Sequence, residues 1–153
     1  MLAKSTEYAI RALVYVQLKN WEGKRPGVIE IAKEIEAPSA FSAKILQTLT
    51  RHKLIDSAKG RGGGFFFNNE QKELTLYQVI HVMEGDACFH RCGFGLKSCN
   101  NDNPCPLHEQ YKEVRDGFFN IVQKETVQSL SEKIRKGEAV LNRGILSTNN
   151  KLL

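Results

Sequence analysis

Apolar side chains recur along the first third of the chain at intervals of three and four residues, the spacing that gathers them on one face of an α-helix. Residues 5–19 carry Tyr8, Ala9, Ala12, Leu13 and Val16 in this pattern, with Ser5 or Thr6 placed as N-cap and Glu7 in the first turn. Gly23, Pro26 and Gly27 break the pattern, and Val28, Ile31, Ala32 and Ile35 then mark a short second helix over 28–36. After the turn Ala37-Pro38-Ser39, a third helix is predicted from about Ala40 to His52 with Ser39 as its cap. Its inward face is Phe41, Ile45, Leu46 and Leu49, which leaves Ser42, Ala43, Lys44, Gln47 and Arg51 outward. Two short helices joined by a tight turn, the second with small and basic outward residues, form a helix-turn-helix pattern.

The chain then changes period. Residues 54–58 and 65–68 are predicted strands, joined by Lys59-Gly60-Arg61-Gly62-Gly63-Gly64 into a hairpin wing. Glycine tolerates positive φ and close backbone approach, so such a tip can enter a narrow minor groove with Lys59 and Arg61 as its cations. It lacks the spacing and the Gly-Lys-Ser/Thr ending of a nucleotide phosphate loop. Residues 74–84 repeat Leu76, Val79, Ile80 and Met83 behind Thr75 as cap, while 88–105 are rich in Gly, Asn and Lys and poor in core residues. A segment of that composition needs something other than apolar burial to order it.

From Pro106 onward a long helix carries Leu107, Tyr111, Val114, Phe118, Ile121 and Val122. Such a face is either core or a seam between two chains. Beside a DNA-binding head the expectation is a seam made by Leu107, Tyr111, Val114, Phe118 and Val122. A shorter helix with Val127, Leu130 and Ile134 ends near Gly137, and the remaining residues to Leu153 read as a mobile tail. The expected architecture is mainly α: a winged helix-turn-helix with a small β-hairpin wing over 1–84, a cysteine loop over 85–105, a dimerisation helix and short following helix over 106–137, and a tail over 138–153.

Charge sharpens the assignment of the head. The formal charge is +5, and residues 1–67 hold all of it, with 11 Lys and Arg against 6 Asp and Glu, while the remainder holds 11 against 11. The basic half is the candidate for polyanion contact. No stretch approaches the roughly 20 apolar residues of a membrane span, and Lys4, Glu7 and Arg11 interrupt the N-terminal segment. A cytoplasmic protein with no membrane partner is expected.

All four cysteines, Cys88, Cys92, Cys99 and Cys105, fall in one stretch. In a chain without an export signal this clustering favours metal or redox chemistry over a disulfide framework. Cys88-x3-Cys92 with Cys105-x2-His108 is one candidate zinc set, which leaves Cys99 out; a thiol-disulfide switch is another reading. No Cys-x-x-Cys pair, nucleotide loop or acid-base pair appears, so an enzyme, or a small iron-sulfur electron carrier, has only the cysteines in its favour.

Taken together, STEYAIRAL at the start, the stretch from VIEIAKEIE through the RGGGF wing, LTLYQVIHVMEG, and a cysteine run ending in CPLH resemble the Rrf2 type of winged-helix iron-sulfur transcriptional regulators, the IscR/NsrR group. The resemblance spans nearly the whole chain. It implies a symmetric homodimer, joined by the long helix, that binds an inverted-repeat double-stranded DNA operator, with a repressor the expected form. Operator binding would be controlled by a 2Fe-2S or 4Fe-4S cluster that senses iron, nitric oxide or redox state. Three cluster cysteines are implied at Cys92, Cys99 and Cys105, with six and five residues between them. The fourth ligand varies in such regulators: His108, three residues after the last cysteine, or Glu7 in the first helix of the other subunit. Cys88 departs from the pattern as an additional thiol, and is an alternative to either as fourth ligand. Thiolates are the soft donors such clusters require, and Pro106 at the first helical position would place Cys105 at a helix N-terminus that favours its thiolate. On the DNA side, Ser39, Ala40, Ala43 and Lys44 are expected to face the major groove, with Ser39, Ser42 and Lys44 reading bases, and Lys59 and Arg61 to enter the flanking minor groove.

Overall fold

The computed structural model describes residues 1–144. Helix α1 (Lys4–Trp21) is its axis, with every residue from Ala12 to Gln17 buried. A helix buried on all sides must be covered on several, and α1 packs against four other helices and the hairpin. It begins one residue before Ser5, and neither Ser5 nor Thr6 caps it. Thr6 is instead fully buried, and its hydroxyl and the Ala3 amide both donate to Glu84 Oε2, so a distant carboxylate supplies what a local cap would.

Helices α2 (Val28–Glu34) and α3 (Ser39–Arg51) form the helix-turn-helix, with Glu36 at φ 56° in the turn between them. Pro38, not Ser39, is the N-cap of α3. Ser42, expected to face outward, is 1% exposed. It stands three, four and seven residues before Ile45, Leu46 and Leu49 and so completes their buried stripe, where its Oγ has no hydrogen-bond partner.

The wing is β1 (Asp56–Ala58) paired antiparallel with β2 (Gly64–Phe66), Asp56 opposite Phe66. Both strands are shorter than predicted. The Leu54 amide still bonds to Leu49 O at the end of α3, and the Phe67 amide donates to Asn20 Oδ1 rather than to a ladder partner.

Helix α4 (Leu76–Glu84) starts in the capping box Thr75-Gln78, and the last helix, α7 (Val127–Arg135), in the capping box Thr126-Ser129. The two caps adjoin: Leu76 N donates to Glu125 O and Val127 N to Leu74 O. α7 then lies on α1, with Val127 and Ser131 fully buried and Gln128 Nε2 2.9 Å from Gln17 Oε1. The short helix that the sequence groups with the dimerisation element is therefore packed into the head.

Between α4 and the long helix α6 (His108–Lys124), a one-turn helix α5 (Ala87–His90) interrupts the segment expected as loop. Too short to show a period, it is held by Phe89, whose ring lies 5.1–5.8 Å from those of Tyr77, Phe118 and Phe119. Helix α6 starts at His108 with Leu107 as N-cap, so Pro106 precedes the helix instead of opening it. Val122, expected in the seam, is 2% exposed and belongs to the chain's own core. Of the predicted tail, residues 138–144 return to the head, where Leu141 packs against the core and Asn142 Nδ2 donates to Glu34 O; 145–153 lie outside the described residues. Among the described residues no helix is long and apolar enough to cross a membrane.

Candidate nucleic-acid interface and metal centre

Helix α3 presents Ser39, Ala40, Lys44, Gln47 and Arg51 exposed and Ala43 half-buried. Ala43, Lys44, Gln47 and Arg51 line a groove with Ser57 and Phe65 of the wing. Ser42 does not reach this surface. At the wing tip Lys59 and Arg61 are exposed and alternate with Gly60 (φ 85°) and Gly62 (φ 76°), backbone conformations that disfavour any side chain. The wing base is fixed to the head: Phe65 N donates to Pro26 O at 2.9 Å, Asn20 Nδ2 to Phe65 O at 3.2 Å, and the Arg25 guanidinium stands 3.9 Å over the Phe66 ring. Gly64, at φ 140°, abuts the Arg25 carbonyl so closely that a Cβ would collide with it. Arg25 and its neighbour Lys24 are basic residues at the wing that the sequence pattern does not single out; the pair directly before Pro26 is the signal that could have found them.

The cysteine loop folds onto one face of α6. His108, Tyr111 and Arg115 follow one another at helical spacing; Tyr111 fills the space beside Gly93, and Arg115 Nη1 donates to Arg91 O. Cys92 is buried, with Sγ 3.6 Å from Cys105 Sγ. Cys99 Sγ is 3.5 Å from Nδ1 of the buried His108, whose Nε2 is 2.9 Å from Asn101 Oδ1. The amide oxygen can only accept, so Nε2 is the donor in that contact and Nδ1 is the ring nitrogen turned toward the sulfur. Burial pushes the Cys92 thiol up, yet backbone hydrogen bonds from Leu96, Phe94 and Gly95 and the contact with Cys105 outweigh it and hold it below the ordinary thiol value. Cys105 owes its place to a turn, its carbonyl accepting from His108 N at 3.0 Å, and not to a helix N-terminus.

Cys92 beside Cys105 and Cys99 beside His108 are two donor pairs of the chemical kinds an iron-sulfur cluster takes. Among the described residues no three His, Cys, Asp or Glu side chains converge on a single ion. Cys88 is held apart from the loop on α5, packed against the core, and its thiol is pushed up by burial and by Glu84. Among the described residues neither the zinc set built on Cys88 nor the set of Cys92, Cys99, Cys105 and His108 converges on one metal position. Glu7 also lies outside the group, exposed on the first turn of α1 and paired with Lys4 at 3.5 Å. Asn101 and Arg115 are absent from the sequence-based site, because a lone amide and a helix arginine carry no spacing signal.

A helix-turn-helix with a basic hairpin wing tied to its base defines a DNA-binding regulator of the winged-helix class. The profile of the Rrf2 family, described as "Iron-dependent Transcriptional regulator", matches residues 2–133. The chain is similar to Protein aau3 of Rhizobium meliloti, 32% identical over 84% of this chain and 83% of that one. It is also similar to the transcriptional regulator NsrR of Oceanobacillus iheyensis, 25% identical over 84% and 88%. Among solved structures, CymR (YrzC), the global cysteine regulator of B. subtilis, superposes with a TM-score of 0.69 over 86% of this chain and 96% of that one at 17% identity. The chain belongs to the Rrf2 family: it is a DNA-binding transcription regulator and not an enzyme.

Proposed function

We propose that this regulator is cytoplasmic and controls an operator through an iron-sulfur cluster held by Cys92, Cys99 and Cys105, with His108 or Glu7 of a second subunit as fourth ligand. The observation that carries the reading is the pairing of Cys92 with Cys105 and of Cys99 with the buried His108 in a loop folded onto α6. The iron in the description of the family profile supports it. The cluster, when bound, would supply a labile, redox-active centre. The chain's own residues turn its presence into a change in the head: Phe89, at the start of the loop, is wedged between Tyr77 of α4 and Phe118 and Phe119 of α6, so ordering the loop biases how head and long helix sit together.

In the same reading the protein is a homodimer on an inverted repeat, with α6 as the joining element and α7 part of the head. The seam is the exposed stripe Leu107, Val114 and Ile121, spaced seven residues apart, with Tyr111 and Phe118 at its edge. Ser39, Ala40, Ala43 and Lys44 face the major groove, and Lys59 and Arg61 the minor groove. Protein purified without oxygen should be brown, with iron and acid-labile sulfide in proportion. Cys92→Ala, Cys99→Ala and Cys105→Ala should each remove the colour and shift operator affinity, whereas Cys88→Ala should keep most of it. A colourless wild-type protein, or full iron and sulfide in Cys99→Ala, would overturn the assignment.

One observation favours a second reading. The Cys92 and Cys105 sulfurs, 3.6 Å apart, are within reach of a disulfide, which would make the loop a thiol switch. Operator affinity that responds to peroxide and dithiothreitol in iron-free protein, and is lost in Cys92→Ser, would select it.

A further inference from the structure

Arg115 has a largely covered side chain whose charge the fold does not match with a close carboxylate. Its side chain is 10% exposed, and the only carboxylate within 4.0 Å among the described residues is Asp116 Oδ1 at 3.9 Å, on a side chain that is itself 58% exposed. Nη1 donates at 3.2 Å to the carbonyl of Arg91, the residue before Cys92, and Nε is buried with no acceptor. An arginine cannot shed its proton, and covering a cation without an anion beside it is unfavourable. The packing around Arg115 therefore calls for negative charge on the loop side of α6.

Resting on the cluster reading above, we infer that Arg115 is the counter-cation of the centre held by the cysteines, and that its bond to the Arg91 carbonyl closes the loop over that centre. Three thiolates and a neutral histidine around a dicationic 2Fe-2S or 4Fe-4S core leave a net charge of about −1, and one electron more makes it −2. A fixed cation beside the cysteine loop stabilises both states and the reduced one more. The role is positioning and electrostatic; Arg115 need not touch iron. It accounts together for the missing carboxylate, the vacant Nε donor and the arginine's place two turns after His108.

The test uses the full-length protein with its cluster, purified without oxygen, as wild type, Arg115→Gln and Arg115→Lys. Loss of the visible chromophore to a chelator should be about tenfold faster or more in Arg115→Gln, the range seen when groups supporting metal ligands are removed. Its one-electron midpoint potential should fall, and Arg115→Lys should recover the potential while still losing the cluster faster, since lysine keeps the charge without the fork. Melting should separate this role from plain packing: Arg115→Gln should lower the transition of the loaded protein and leave that of the iron-free protein unchanged or higher. Equal destabilisation in both forms, or a loaded Arg115→Gln with wild-type chelation rate and potential, would overturn the inference and leave the cluster reading intact. A wild-type protein without iron and sulfide would overturn both.

Discussion

If the protein is the proposed dimer, replacing Val114 and Ile121 together by Glu should give folded monomers, whereas Val122→Ala should weaken the fold and leave association alone. Val114 is 58% exposed, Ile121 56% and Leu107 46%, against 2% for Val122. Full burial of such a side chain is worth about 1.5–3 kcal/mol, so covering the remaining half contributes about 1 kcal/mol each. Six side chains across a two-fold axis then supply about 6 kcal/mol, some four orders of magnitude in Kd. The double Glu variant removes about two-thirds of this and sets carboxylates in the seam, so dimerisation should weaken at least about a thousandfold. Val122→Ala removes apolar volume from a packed core instead, at about 2 kcal/mol, and should lower the melting temperature by roughly 6 °C. Sedimentation equilibrium and thermal melting of the three proteins at one concentration decide the matter. An unchanged Kd in the double variant, or dissociation of Val122→Ala at full stability, would refute the division of α6 into an inner and an outer face.

Two further expectations concern DNA and acid. Lys59→Ala and Arg61→Ala should each flatten the salt dependence of operator binding by about one unit, while Ser42→Ala should leave DNA affinity unchanged and hold or raise stability, because its Oγ is buried without a partner; a loss of affinity in Ser42→Ala would show that α3 is turned differently on DNA. Hydrogen bonds from His81, 2.7 Å away, and from Tyr77 hold the Asp86 carboxyl below its ordinary range. Because the folded value lies below the unfolded one, this stabilisation is complete above the unfolded value and drains away as pH falls below about 4. Asp86→Asn should flatten the acid limb of the stability curve, and an identical limb in both proteins would remove Asp86 from its cause.

Much of the fold is written in local pattern. The 3.6-residue period marks α1, α3, α4 and α6, Thr75 with Gln78 marks a start, and glycines needing positive φ mark the wing tip; each depends only on a residue and its near neighbours in the chain. The cysteines and His108 were legible for the same reason, since a chemistry-bearing type repeated within one short segment is visible without coordinates. Position within a packed assembly was not. Ser42 reads as outward because a hydroxyl looks polar, until the stripe it shares with Ile45, Leu46 and Leu49 meets α1. Val122 reads as seam because periodicity shows that a face is apolar and not what covers it. Thr6 loses its capping role to Glu84, 78 residues away, and Arg115 acquires its significance only where a loop closes over it. Hydrophobic period and turn chemistry act through local backbone geometry and can be read along the chain. Burial and pairing are properties of neighbours that only folding brings together, and they decided which side chains enter the core, which stay on the surface and which pack beside the cysteines.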